Sequence, residues 1–226
     1  MKNMTYEKRM ELIKADRSYR KLLENLPRYL EREFFSLTTK YSFNLRRKDI
    51  TRAILWRCHT YYKSQREICD FLQKRYRAPG ADFFVETIVF FLKAVTTKKL
   101  PWRVYSELSI TKKHGALRPD ITVWKENKLL AVIECKTQLG YNRDRWKQDF
   151  VRRERQIKKI HPSAHCFLLV MCSQNWSGFG KDRRLGKQFF VLSKEWPDQL
   201  SENNLERSIV VPIESLFEKI LDSSTI

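Results

Sequence analysis

The amino-acid sequence predicts an α/β protein: a mixed central sheet flanked by helices, with a helical region in front of it. Three observations predict this. The first 80 residues read as amphipathic helices with no strand-like run. Beyond them, apolar runs of strand length alternate with helical patterns. The chain has 226 residues, 42% hydrophobic and 13% aromatic with 6 Gly, enough to bury a full core and unlike a disordered composition.

Residues 5–25 form the first candidate helix, expected to stop at Pro27, and a second follows with Leu30, Phe34, Leu37 and Tyr41 at helical spacing. Asp49 is placed to start a third over "ITRAILWRCHTYY". Ser64 and Glu67 have the spacing of a capping box that opens a fourth, through Ile68, Phe71, Leu72 and Tyr76. The last two resemble a helix-turn-helix in spacing, although short helical hairpins are common. "RAPGA", residues 77–81, marks a boundary. "DFFVETIVFFLKAV" is apolar nearly all round and reads as a buried helix. "RVYSELSI" (103–110) alternates as a strand does. "ITVWKENKLLAVIECK" reads as a hairpin turning at Glu126-Asn127. Residues 143–160 form a basic helix with Trp146, Phe150, Ile157 and Ile160 on one face. Residues 163–172 and 187–193 are apolar strands, and "SIVVPIESLFEKIL" adds a short strand and a helix.

Lys and Arg total 45 against 26 acids, a net charge of +19. Residues 1–80 carry 20 basic and 9 acidic groups, a net +11, whereas residues 196–226 carry 2 and 6, a net −4. Such a field attracts a polyanion, and nucleic acid is the usual one. A membrane-surface or acidic-partner role ranks lower, because no segment sets its basic residues opposite a Trp/Leu face. No apolar run approaches the ~20 residues of a membrane span, and the start has no apolar core like that of a secretory signal, so a cytoplasmic protein without a membrane partner is expected. The five cysteines, odd in number, fit buried reduced thiols. Cys58, His59 and Cys69 lack a second ligand pair for zinc. His59, His114, His161 and His165 show no ligand spacing, and His114, in the loop before Asp120, is the one of interest.

Within the hairpin, Asp120, Glu134 and Lys136 interrupt residues suited to full burial. Ionised groups there are costly unless paired, hydrogen-bonded or metal-bound. Glu134 and Lys136 share a strand face, and a twisted hairpin can bring Asp120 beside Glu134. Two adjacent carboxylates repel unless a hard cation such as Mg²⁺ relieves them. A lysine beside them could orient water or stabilise charge on a phosphate. This is equipment for metal-assisted phosphodiester hydrolysis. Taken alone, Asp120 after Pro119 reads as a turn residue, and Glu134 with Lys136 as a cross-strand ion pair at an edge. The apolar neighbours argue against an edge, and the joint pattern favours a site.

Pro119-Asp120 followed by Glu134-Cys135-Lys136 resembles the PD-(D/E)XK nuclease superfamily over roughly residues 82–193. The resemblance implies a restriction-endonuclease-like core in which Asp120 and Glu134 bind metal and Lys136 is the catalytic lysine. It also implies a role for Glu86, similar to a glutamate on the helix before the sheet, and an accessory role for Gln138. Glu86 reads equally as an acid favoured near a helix N-terminus. The expected function is a Mg²⁺-dependent endonuclease acting on double-stranded DNA as a homodimer, of the type II restriction kind. Alternatives are a Holliday junction resolvase or repair nuclease of the same fold, and a non-catalytic nucleic-acid-binding protein. Residues 81–226 would form the nuclease core and residues 1–80 a region for DNA binding or dimerisation. DNA contacts are expected from Arg143, Arg145, Lys147, Arg152, Arg153 and Arg155 on the basic helix. The loop 173–187 offers Trp176, Phe179, Lys181, Arg183, Arg184 and Lys187, aromatic and basic groups suited to a groove.

Overall fold

A computed structural model describes residues 11, 13–97, 102–111, 116–139, 145–174 and 181–222. The chain divides into two units, Met1–Ser42 and Phe43–Ile226. In the first, helix α1 spans Arg17–Lys40 and contains Pro27, so the expected stop at that proline does not occur. Proline in a helix interior removes one hydrogen bond, here to the carbonyl of Leu23. Leu23 is 46% exposed, so solvent can replace the missing donor. α1 buries none of its residues.

The second unit begins with α2, Asp49–Leu72, which is one unbroken helix. The break expected at Ser64 is absent, and with it the helix-turn-helix. Ile50, Ile54, Leu55, Cys58, Tyr62 and Cys69 keep to one buried face through that point, and no Gly or Pro interrupts them. The helix ends at Gln73, whose φ of 51° is left-handed.

The two units divide at 42/43, so α2, which the sequence groups with residues 1–80, lies in the second. A buried carboxylate explains why α2 belongs with the sheet. Glu214, 1% exposed, accepts hydrogen bonds from the Ile50 and Thr51 amides at 2.7 and 3.0 Å and from the Thr51 hydroxyl. Thr51 Oγ1 in turn accepts from the Ile213 amide at 2.8 Å. This satisfies amides that the first turn of a helix leaves unpaired, from 163 residues away. Gly80 precedes helix α3, Ala81–Thr96, and a Cβ there would lie 2.5 Å from Tyr62 Cζ, so the approach of α3 to α2 needs a glycine.

Five strands follow: β1 (Trp102–Ser106), β2 (Ile121–Lys125), β3 (Lys128–Lys136), β4 (His165–Cys172) and β5 (Phe189–Ser193). They lie in sequence order in one mixed sheet. β1, β2 and β3 are antiparallel neighbours, whereas β3, β4 and β5 run parallel. Helix α4, Trp146–Ile160, makes the crossover that a parallel β3–β4 pair requires. Leu130 is an extra residue in β3, where the register shifts between Val123 and Trp124. The bulge lets Leu129 join Val132 on the sheet face covered by Trp146, Phe150 and Ile157 of α4. The alternate residues Ala131, Ile133 and Cys135 point to the opposite face, against which α3 packs. A 3-10 turn (Pro197–Gln199), α5 (Leu205–Ser208) and α6 (Ile213–Asp222) complete the unit. The architecture is thus mixed α/β with a helical N-terminal region. All five cysteines are buried free thiols, and no helix among the described residues is long and apolar enough to cross a membrane.

Candidate active site

The hairpin register decides how the acidic residues meet. Ile121 pairs with Ile133, so Asp120, one residue before β2, lies opposite Glu134 of β3. The main chain of Asp120 continues the ladder towards β1: its carbonyl accepts from the Glu107 amide at 3.2 Å and the Ser106 hydroxyl at 3.1 Å. Its carboxylate adds a rung on the other side, with Oδ2 accepting from the Cys135 amide at 2.7 Å. Asp120 is therefore tied to both neighbouring strands. Glu134 points to the α4 face and is 5% exposed. Lys136, two residues on and on the same face, is exposed at the strand end.

Burial pushes the Glu134 carboxyl above its ordinary range. Arg153 opposes this, the nearby Asp120 adds to it, and Lys136 opposes it more weakly. Arg153 Nη1 donates to Glu134 Oε2, an ion pair between a half-exposed guanidinium and a buried carboxylate. Arg153 was expected at the DNA surface, and its pairing with Glu134 is new. The signal for it was legible in part: positions 146, 150, 153 and 157 recur at helical spacing, so Arg153 is the charged member of the stripe that α4 turns to the sheet. Burial also pushes the Cys135 thiol well above its usual value, with Asp120 and Glu134 adding to the effect, which leaves it unreactive.

Glu134, Lys136, Gln138, Leu139, Trp146, Asp149, Phe150, Arg152, Arg153 and Leu168 line a cleft of about 430 Å³ between β3, β4 and α4. One wall is apolar and the other carries charge. Among the described residues no group of three His, Cys, Asp or Glu converges as a metal cage. Two carboxylates do adjoin, and each engages one oxygen in the hydrogen bonds just given. A donor set of one or two carboxylates with water and phosphate filling the rest is what Mg²⁺ accepts, so Asp120 and Glu134 fit such an ion. Glu86 is exposed on α3 and is not part of any such group with Asp120 and Glu134.

The expected DNA-contacting residues divide by engagement. Lys147 pairs with Asp182 at 2.8 Å, and Arg184 pairs with Asp182 at 3.3 Å while stacking 4.0 Å above the Phe189 ring. Burial alone would raise the Asp182 carboxyl, but hydrogen bonds from Lys147 and from the Arg184 amide and side chain bring it down to about 2. Lys147 therefore ties the segment before β5 to α4, and Arg184 holds that segment against Phe189 of β5. Arg152 pairs with Asp149 at 2.9 Å beside the cleft. Arg145, Arg155, Lys181, Arg183 and Lys187 are exposed. His114, Arg143, Trp176 and Phe179 lie outside the described residues. Of the other histidines, His59 bonds the Pro197 carbonyl and His161 the Ile110 carbonyl, at 2.9 and 3.3 Å, and both serve the fold. Gln138 lines this cleft and also a second one.

The chain matches no protein-family model and no curated protein.

Proposed function

We propose that this protein is a Mg²⁺-dependent endonuclease of double-stranded DNA, a type II restriction enzyme of the PD-(D/E)XK kind that acts as a homodimer. The observation that carries the reading is the register that sets Asp120 opposite Glu134, with Lys136 on the same strand face at the mouth of a cleft. A chain of net charge +19 adds the long-range attraction that a phosphate backbone requires.

Asp120 and Glu134 would hold the ion, which supplies Lewis acidity toward the phosphate and a more acidic bound water. The protein's own groups do the rest. The Cys135 amide keeps the Asp120 carboxylate turned toward β3. Arg153 opposes the rise that burial imposes on the Glu134 carboxyl and so favours its ionised form. Lys136 brings an ammonium to the mouth of the site, where it orients a water or stabilises charge developing on the phosphate. Leu139, Trp146 and Phe150 give the cleft a wall of low polarity, which strengthens these electrostatic interactions.

The test is digestion of mixed plasmid DNA in Mg²⁺, with EDTA and Ca²⁺ controls. Discrete fragments are expected with Mg²⁺, none with EDTA, and binding with little cutting in Ca²⁺, whose looser geometry positions water poorly. A smear would replace the restriction reading with that of a non-specific repair or resolving nuclease. Full cleavage in excess chelator would refute the metal site, and binding without cleavage under all conditions would leave a nucleic-acid-binding protein.

A further inference from the structure

A second cleft, about 290 Å³ in volume, is lined by Arg66, Arg77, Gln138, Gln174, Trp196, Asp198 and Gln199. Its chemistry is unlike that of an ordinary surface ion pair. Asp198 has a side chain only 3% exposed, and its single oxygen Oδ2 receives two guanidinium groups, Arg77 Nη1 at 2.8 Å and Arg66 Nη2. One carboxylate thus faces two cations, leaving the cluster with a net positive charge. One arginine suffices to pair the buried carboxylate and to pin the 3-10 turn to the end of α2. The second arginine is surplus to that structural task.

The arginines remain 47% and 39% exposed in their side chains. Each guanidinium carries five N–H donors in a planar fork, and the Asp198 bonds occupy one on each. The buried carboxylate restrains both forks, so less freedom is lost when they bind a planar or tetrahedral oxyanion. Amide groups extend the donor surface: Gln174 Nε2 donates to Gln199 Oε1 at 2.9 Å beside them. Gln138, two residues beyond Lys136, lines both this cleft and the one containing Glu134. The two are neighbouring parts of one surface.

We infer that the Arg66–Arg77–Asp198 cleft is a phosphate-binding groove that grips the backbone of the DNA strand being led to Asp120 and Glu134. This rests on the DNA-cleaving reading above and adds to it a binding site built by the end of α2 and the segments around residues 77 and 198. Guanidinium forks match phosphate oxygens in pairs, and such contacts set position without reading sequence.

The test is the salt dependence of DNA binding, followed by fluorescence anisotropy of a labelled duplex in Ca²⁺ with wild-type protein, the Arg66→Gln/Arg77→Gln double variant and Asp198→Asn. Each phosphate contact contributes about 0.9 to the slope of log K against log salt, so the double variant should lose about 1.8. From about 50 to about 200 mM salt, wild-type affinity should then fall about 12-fold more than that of the double variant. Asp198→Asn keeps an acceptor for the arginines but removes the negative charge, and should bind DNA more tightly than wild type at low salt. If the double variant fails to fold by circular dichroism, Asp198→Asn decides: unchanged or weaker affinity overturns the groove. A folded double variant with the wild-type slope overturns it as well, while leaving the nuclease reading standing. Wild-type protein with no salt-dependent DNA binding would overturn both.

Discussion

Lys136→Ala separates chemistry from scaffolding. Lys136 is exposed at the end of β3, so truncating it uncovers no core. Glu134 retains Arg153 as its hydrogen-bonded partner. Exposed substitutions of this kind shift stability by no more than about 0.5 kcal/mol, and one charge removed from a net +19 changes general phosphate attraction little. Loss of a group that acts on the transition state costs far more: a fall of ~10²-fold or more in cleavage, equivalent to about 2.7 kcal/mol or more. The two magnitudes are far enough apart to be told from each other. The assay combines single-turnover cleavage of a labelled duplex in Mg²⁺, duplex affinity in Ca²⁺ and the thermal midpoint. The expected variant is folded, binds within a few-fold of wild type and no longer cuts at a useful rate. A folded variant that cuts at near wild-type rate would refute the assignment. If stability, binding and cutting instead decline together, Lys136 supports the hairpin and not the reaction.

Glu134→Gln should abolish cutting and gain in stability relative to wild type as the pH rises. The folded-state pKa of Glu134 is raised from 4.5 by burial, so its favourable contribution is fully present below pH 4.5 and is lost as pH rises through the folded value. The stability difference between Glu134→Gln and wild type should therefore shift in favour of the variant from about pH 4 to pH 7; chemical denaturation at several pH values measures this, and a flat difference would contradict it. Arg153→Gln removes a cation that holds that carboxyl down, so the acidic limb of the cleavage pH profile should move to higher pH. An unmoved limb would mean that Arg153 does not govern the ionisation of Glu134 during the reaction. One such site cuts one strand, so clean double-strand cleavage implies a two-fold dimer on DNA; sedimentation should find two protomers per duplex, and a monomer that cuts both strands in one encounter would exclude this.

Much of the sheet is written in contiguous residues. The apolar runs of β3, β4 and β5, the two-residue turn at Glu126-Asn127 and the helix between β3 and β4 all depend on local periodicity, and they occur as the sequence predicts. A two-residue turn pairs Lys125 with Lys128 and, continued without interruption, would set Asp120 opposite Ile133; the bulge at Leu130, which the sequence does not announce, shifts the register by one and sets it opposite Glu134. The common face of Glu134 and Lys136 was legible, because strand side chains alternate. What the sequence could not decide were the matters settled by distant chain segments. α1 runs through Pro27 because its exposed backbone can be solvated, and α2 runs through Ser64 because its buried stripe continues on the far side. A capping signal is only an offer of hydrogen bonds, and packing along the whole face outweighs it. The amides at the start of α2 are instead satisfied by Glu214, which no local pattern connects to them. Arg153 looked like one more solvated charge on a basic helix until the sheet supplied a buried carboxylate opposite it. Glu86 stands exposed on a helix that is largely apolar. The sequence by itself determined the hairpin strands, β4, β5 and the spacing of Asp120, Glu134 and Lys136, since these follow from alternation and apolar runs along the chain, whereas the short strand expected after residue 207 forms only a single bridge at Ile209. Tertiary structure alone decided which cation meets which carboxylate, because charge pairing depends on through-space distance and burial that only the packed chain creates.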